Sequence, residues 1–332
     1  MKYLPGWILM LGVGTMSILL SNLVVIGGKN PIEAAVIAIL IGILIRNSGI
    51  LPKVFHPGIQ AFEKILILGI VLIGASLNFR NFGSQGINML VIILTTMIIS
   101  FFAIYFLGKT FNLPTALAVL LSVGTTICGG SAIAVTAPLI KAREEETSYA
   151  IGTIALWGFI AILLYPKIAQ LLGITDIDFG VFAGTAIHST PQVVGAGFIF
   201  SDLAGKTATA VKLVRNCFMV PLAFFIAMWY ANNILKIKKN EVTRVNVVRA
   251  FPWFLFGYFL MAGLNTQGYF SPEGVKAFNT AGRFLILLGL SGIGLNTVFA
   301  SFKKVGLRPL VVGFMGALIV AGCSILMIHF LL

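Results

Sequence analysis

Charge is what this sequence has least of. Of its 332 residues, 10% are Asp, Glu, Lys or Arg and 58% are hydrophobic, whereas soluble domains carry about 25% charged residues. A soluble chain of this length must cover its surface with charge, so a soluble globular fold is excluded. Disorder is excluded as well, because it needs low hydrophobicity and high charge. The 12 prolines and 36 glycines follow no triplet period, which removes a collagen-like fibre. Cysteine is scarce: Cys128, Cys217 and Cys323 all lie in apolar runs, and an odd number of such thiols is not a disulfide framework. The chain has neither a C-x-x-C nor a His/Cys metal spacing, and no Walker-type loop. Neither metal nor cofactor is therefore expected, nor ATP-driven pumping by this chain.

What is present is apolar length. The mean hydropathy is +1.02, and a membrane-spanning helix needs about 20 apolar residues. The expectation is an all-α, polytopic membrane protein of about 11 transmembrane helices (about 10–12). The candidate segments are 5–26, 31–47, 63–82, 86–108, 113–140, 147–172, 178–201, 206–235, 250–266, 275–300 and 308–331. The first is longer than a signal-peptide core and lacks a small-residue cleavage pattern, so it reads as a span. No linker separates soluble domains, and 1–332 reads as a single transmembrane domain. The net charge of +13 then records orientation rather than a nucleic-acid partner. Alternate loops hold 14 and 7 basic residues, with Lys212 and Arg215 left inside a segment. The positive-inside rule places the N-terminus in the cytoplasm and, with eleven spans, the C-terminus outside.

An internal repeat is also legible. I-G-A-S-L-N at 73–78 matches S-G-I-G-L-N at 291–296, so Gly74, Leu77 and Asn78 fall on Gly292, Leu295 and Asn296. Asn47 and Pro52 have counterparts in Asn265 and Pro272. The repeat-like parts are about 31–108 and 250–332. Their matching helices are an odd number of spans apart, as in inverted-topology repeats.

Two segments, 113–140 and 178–201, carry polar residues where hydrocarbon demands apolar ones. They contain G-T-T-I-C-G-G-S at 124–131 and G-T-A-I-H-S-T-P-Q at 184–192. Gly129 and Gly130 should break helical order. Ser189 or Thr190 followed by Pro191 is a helix-start signature. Irregular backbone at membrane depth is tolerated only where it is buried in protein or lines a cavity, so both read as discontinuous helices at the bilayer midplane. A half-helix starting there offers free N–H groups and a positive dipole end. Thr125, Thr126, Ser131, Ser189 and Thr190 add hydroxyls, while Lys212 and Arg215 add cations. No acid lies between Glu63 and Glu144. Donors and cations without a carboxylate describe an anion site. Each residue also has a structural reading: small residues for close packing, His188 as a hydrogen-bonded packing residue, Cys128 as a buried hydrophobe, Lys212 snorkelling.

G-T-T-I-C-G-G-S-A at 124–132, G-T-A-I-H-S-T-P-Q-V-V-G-A-G at 184–197 and K-L-V-R-N at 212–216 together resemble the bacterial YeiH-type family. Its members are usually labelled uncharacterised membrane proteins or sulfate exporters. The resemblance covers nearly the whole chain. It implies a bacterial inner-membrane location and kinship with bile-acid-symporter and cation-antiporter-like folds, with two five-helix inverted repeats and paired unwound helices. Those pairs lie five spans apart, whereas here one span separates the motifs. Either one motif is a re-entrant element or the partner of 113–140 is the glycine-rich segment 275–300.

The expected function is secondary transport of a small anion, sulfate or an organic sulfonate, by alternating access. The substrate-binding set is Thr125, Thr126, Gly129, Gly130, Ser131, His188, Ser189, Thr190, Gln192, Lys212, Arg215 and Asn216, with no catalytic residue. The partners are the anion and the lipid bilayer; a homodimer stays open. The rival readings are a cation- or proton-coupled antiporter, a channel, and an intramembrane enzyme using Cys128 and His188.

Overall fold

The computed structural model describes residues 2–23, 34–78, 85–230, 253–302 and 306–332. The basic stretch from Lys236 to Arg249 lies outside them, as do Lys29, Arg80, Lys303 and Lys304. Every regular element among the described residues is helical. In chain order these are α1 (Leu4–Leu23), α2 (Ala34–Asn47), α3 (His56–Gln60), α4 (Phe62–Gly74), α5 (Gln85–Thr110), α6 (Thr115–Thr126), α7 (Gly130–Leu139) and α8 (Glu144–Leu171). They continue as α9 (Asp176–Ala186), α10 (Thr190–Phe200), α11 (Asp202–Cys217), α12 (Met219–Tyr230), α13 (Phe254–Thr266), α14 (Pro272–Asn296), α15 (Phe299–Phe302) and α16 (Leu307–Leu331). Six stretches among the described residues are long and apolar enough to cross a bilayer: Leu4–Leu23, Lys53–Gly74, Gly86–Thr110, Glu144–Leu171, Pro272–Asn296 and Leu307–Leu331. Several shorter apolar helices accompany them, so this is a polytopic membrane protein.

The chain forms two compact units. The first holds 1–83, 198–206 and 253–300, and its centre is the contact of α4 with α14. Without a hydrophobic drive between helices in lipid, small residues let backbones approach. Gly69 and Gly282 do this reciprocally: a Cβ on Gly69 would meet the Gly282 carbonyl oxygen at 2.8 Å, and one on Gly282 the Gly69 oxygen at 2.9 Å. Gly289 lies against Leu66 and Gly292 against Phe62. As α14 advances, α4 recedes, so the two run antiparallel. Each also receives an asparagine near its C-terminal end. Asn47 Nδ2 donates to the Thr297 carbonyl at 2.9 Å and its Oδ1 accepts from the Phe299 N–H at 3.0 Å. Asn265 Nδ2 donates to the Leu77 carbonyl at 3.2 Å. Each of these two asparagines thus donates to a carbonyl just beyond the C-terminal end of a neighbouring helix.

The second unit holds 84–197, 207–252 and 301–332, and its helix directions can be read against α16. Asn88 of α5 donates to the Leu331 carbonyl at 2.7 Å, while Ile104 lies against Gly316, so α5 is antiparallel to α16. Thr153 of α8 lies against Gly313, whereas Ile168 and Leu172 share a cavity with Ile325, Ile328 and Leu332. Hence α8 is parallel to α16 and antiparallel to α5. The α6–α7 segment that joins α5 to α8 must therefore return to the end from which it started. Locally it does fold back. In a straight helix, residues nine apart are about 13.5 Å apart, yet the Ile133 side chain sits where a Cβ of Gly124 would be, 2.7 Å from it.

The other broken segment enters from the opposite end. Asp178 and Phe179 of α9 lie in the cavity beside Ile328 and Leu332, and Thr185 Oγ1 is 2.6 Å from Ser324 Oγ. By contrast α6 begins beside the C-terminus of α5, where Ala118 packs on Gly108, at the Leu307 end of α16. The two half-helices advance toward each other.

Replacing Gly69 or Gly282 by Val is expected to cost about 1–3 kcal/mol of overpacking. A lowered apparent Tm in detergent reads this out. Gly263→Ala, where a Cβ meets nothing within 4 Å, should leave Tm unchanged.

Candidate functional site

The last carbonyls of a helix lack intrahelical partners. Helix α6 closes with Ile127 N–H on the Val123 oxygen at 3.0 Å and Gly129 N–H on the Gly124 oxygen at 2.9 Å. The carbonyls of Thr125, Thr126 and Ile127 then need other donors. Helix α9 closes with Ile187 N–H on the Ala183 oxygen at 3.1 Å, which leaves Gly184, Thr185, Ile187 and His188 in the same position. In a water-poor interior each such group costs several kcal/mol.

Two side chains of α11 supply the donors to both ends. Lys212 Nζ donates to the Ile127 oxygen at 2.7 Å, to the Ile187 oxygen at 3.0 Å and to the His188 oxygen. Arg215 Nε donates to the Thr126 oxygen and Nη2 to the Thr125 oxygen. Its Nη1 donates to the Thr185 oxygen at 2.6 Å and to the Gly184 oxygen at 3.2 Å. Both side chains are fully buried. Two of the positions served are equivalent in the two motifs, Thr125 with Thr185 and Ile127 with Ile187, since Gly124-Thr125-x-Ile127 aligns with Gly184-Thr185-x-Ile187. That shared G-T-x-I is the signal by which the backbone acceptors, which no side-chain scan singles out, are recognisable.

Beyond each break the chain starts a new helix, so the opposite polarity comes next. Gly129 has φ +71° and ψ −125°, a backbone region that only glycine enters without strain. A Cβ on Gly129 would lie 3.4 Å from Ser189 Cβ and 3.3 Å from Ile154. The starts of α7 and α10 therefore abut. Ser131 is exposed, while Gly130, Ser189, Thr190 and Pro191 are half-buried, so these starts face accessible space with the two cations behind them. Thr190 Oγ1 accepts from Asn216 Nδ2 at 3.0 Å. Asn216 Oδ1, Thr125 Oγ1, Thr126 Oγ1 and both ring nitrogens of His188 are buried without a partner among the described residues.

The structure thus brings the sequence-derived residues into one cluster, but in different roles. Lys212 and Arg215 spend their donors on backbone carbonyls. Gln192 is engaged too: its Oε1 accepts from the Ser189 N–H at 3.2 Å and its Nε2 donates to Ala155 of α8 at 3.3 Å. This is half of a capping box at the start of α10. Cys128 Sγ lies 3.5 Å from Met219 Sδ rather than on the His188 ring. Thr126 also borders a cavity of about 650 Å³ lined otherwise by apolar side chains such as Met97, Phe101 and Leu222. Among the described residues no group of His, Cys, Asp and Glu could hold a metal ion.

Helical architecture and apolar length define the class, a multi-pass helical membrane protein. The chain belongs to the family described as Conserved hypothetical protein 698, which matches residues 5–313. A UPF0324 membrane protein of Clostridium tetani is 34% identical to it over 98% of this chain and 96% of the relative. One of Oceanobacillus iheyensis is 30% identical over 89% and 86%, and one of Bartonella henselae 31% identical over 91% and 85%. This is the family to which the three motifs pointed, and it makes the chain a bacterial multi-pass membrane protein.

Gly129→Ala is expected to cost about 1–3 kcal/mol through its positive φ and to lower the apparent Tm. Gly130→Ala, where a Cβ meets nothing within 4 Å, should keep the wild-type Tm. Equal melting of the two variants would show that the tip tolerates side chains at both positions.

Proposed function

We propose that the protein is a secondary transporter of a small oxyanion, sulfate or an organic sulfonate, and neither an enzyme nor an ATP-driven pump. The observation that carries this reading is the charge balance of the cluster. Lys212 donates to three acceptors, which takes three N–H groups and hence an ammonium. Arg215 is charged as well. The C-termini of α6 and α9 supply about half a negative charge each, and the starts of α7 and α10 return about half a positive charge each. Roughly two positive charges stay uncompensated. Neither of the two ion pairs among the described residues reaches the cluster: they are Arg143 with Glu146 and Arg283 with Asp202.

The anion would sit at the abutting helix starts. Free N–H groups of α7 and α10 and the hydroxyls of Ser131, Ser189 and Thr190 would hold it, as helix N-termini hold oxyanions elsewhere. Asn216 would position Thr190. Lys212 and Arg215 would act from behind through their field, with no direct contact to the anion. His188 and Thr125 lie deeper and would line the cluster.

The helix directions support a particular way of crossing the membrane. Segments 113–140 and 178–201 would be re-entrant hairpins that enter from opposite faces and meet near the midplane, leaving nine spans. Lys141 and Arg143 then join the cytoplasmic side and Lys167 leaves it, so the basic split of 14 to 7 becomes 15 to 6, a sharper positive-inside signal. The N-terminus stays cytoplasmic. An inverted repeat also follows, pairing α2 with α13, α4 with α14, α5 with α16, and the two hairpins with each other. The second copy is permuted in the chain, its hairpin preceding α13.

Two experiments test these readings. In a thermal-shift screen of purified protein, one oxyanion among sulfate, sulfonates and carboxylates should raise Tm; at 100 times Kd the stabilisation is about 2.7 kcal/mol. The same anion should move into liposomes, with Ser131→Ala and Thr190→Val slowing it at least tenfold, a loss of about 1.4 kcal/mol. Absence of both shift and flux for every anion sinks the transport reading. For topology, Lys109→Cys and Glu144→Cys in a cysteine-free background should react with an impermeant maleimide from the same face. Labelling from opposite faces would restore a crossing segment between them.

A further inference from the structure

In carriers with broken helices, unwound carbonyls and half-helix C-terminal ends are the groups that coordinate a coupling cation, while half-helix N-termini take the anion. Both kinds of surface are present here. The C-terminal ends of α6 and α9 converge three carbonyl oxygens, of Ile127, Ile187 and His188, on one point. At that point sits Lys212 Nζ, fully buried and touching no carboxylate among the described residues. The oxygens come from two hairpins that are far apart in sequence but equivalent in their G-T-x-I motif. Arg215, the neighbouring cation, is held mainly by other oxygens, those of Thr125, Thr126, Gly184 and Thr185, and shares only the Ile187 oxygen, at 3.4 Å.

We infer that this carbonyl cage is a monovalent-cation site that the chain fills permanently with its own Lys212 ammonium, so that anion movement needs no free alkali cation as a partner. The physical reason is the match of donor and acceptors. Carbonyl rings bind desolvated monovalent cations by replacing their hydration shell, and an ammonium with three N–H groups replaces such an ion at no cost in translational entropy. A tethered cation cannot leave with the cargo. The site therefore keeps its positive field in every state of the cycle, whereas a sodium-coupled carrier gains that field only when sodium binds. The second half of the inference rests on the anion-transport reading. The first half, the cage itself, does not.

The test separates the two. Full-length Lys212→Ala, purified in detergent, should melt below wild type in choline chloride. It should regain at least half of that loss when ammonium or methylammonium replaces choline at equal ionic strength, while wild type melts alike in choline, sodium, potassium and ammonium. A variant whose Tm ignores all of these cations overturns the cage. Should Lys212→Ala fail to fold, wild type still decides the coupling. Its anion-induced thermal shift and its flux should be equal in sodium, potassium and choline, and a sodium requirement for either overturns the inference. If no anion shifts Tm while ammonium rescues the variant, the transport reading fails and the cage stands.

Discussion

A helix that stops inside a membrane protein leaves carbonyl groups facing a medium without water, and everything at this site follows from how those carbonyls are satisfied. Two helices, α6 and α9, stop in this way. Their unpaired oxygens are gathered onto two neighbouring side chains of α11, Lys212 and Arg215. A buried cation normally demands a carboxylate. Here the negative ends of two helix dipoles and a shell of carbonyl oxygens take that part. One interaction therefore does two things: it permits both breaks and it retains two buried positive charges.

The same requirement sorts the polarity of the site. Because the C-terminal ends are turned inward onto the cations, the new helix starts at Gly130 and Thr190 are left on the accessible side. Gly129 makes the first of these turns, with a φ of +71°. At the second, the Ser189 N–H donates to the Gln192 side chain. Donor groups thus collect on the less buried side of the cluster, and acceptor groups where Lys212 and Arg215 lie. The first unit solves a different problem by simpler means. Its antiparallel helices α4 and α14 approach through Gly69 and Gly282, and Asn47 and Asn265 hold their ends in equivalent ways.

Much of this was legible one residue at a time. G-G at 129–130 and S-T-P at 189–191 marked the two breaks, because backbone freedom and capping chemistry are local properties. Asn47 and Asn265 stood out in the sequence because each precedes a glycine-containing helix. The role of Lys212 and Arg215 was not legible. Facing a donor-rich, acid-free segment, they read as charges aimed at a cargo, but their acceptors are backbone oxygens 24–90 residues away in the chain. Gln192 is similar. Its type suits a ligand, and only the approach of α8 at Ala155 and Gly158 shows it fastening α10.

Hydropathy and charge scarcity by themselves determined that this chain lives in a membrane and is helical, because burial in hydrocarbon constrains composition residue by residue. Local glycine, serine and proline chemistry determined where helices stop. The direction in which the chain leaves a broken segment is visible only in the tertiary structure. A break has the same sequence either way, and the direction of the chain beyond it depends on which helix it packs against, here the parallel course of α8 and α16. The same is true of what the two buried cations hold. A backbone carbonyl carries no residue identity, so its partner can be found only in space.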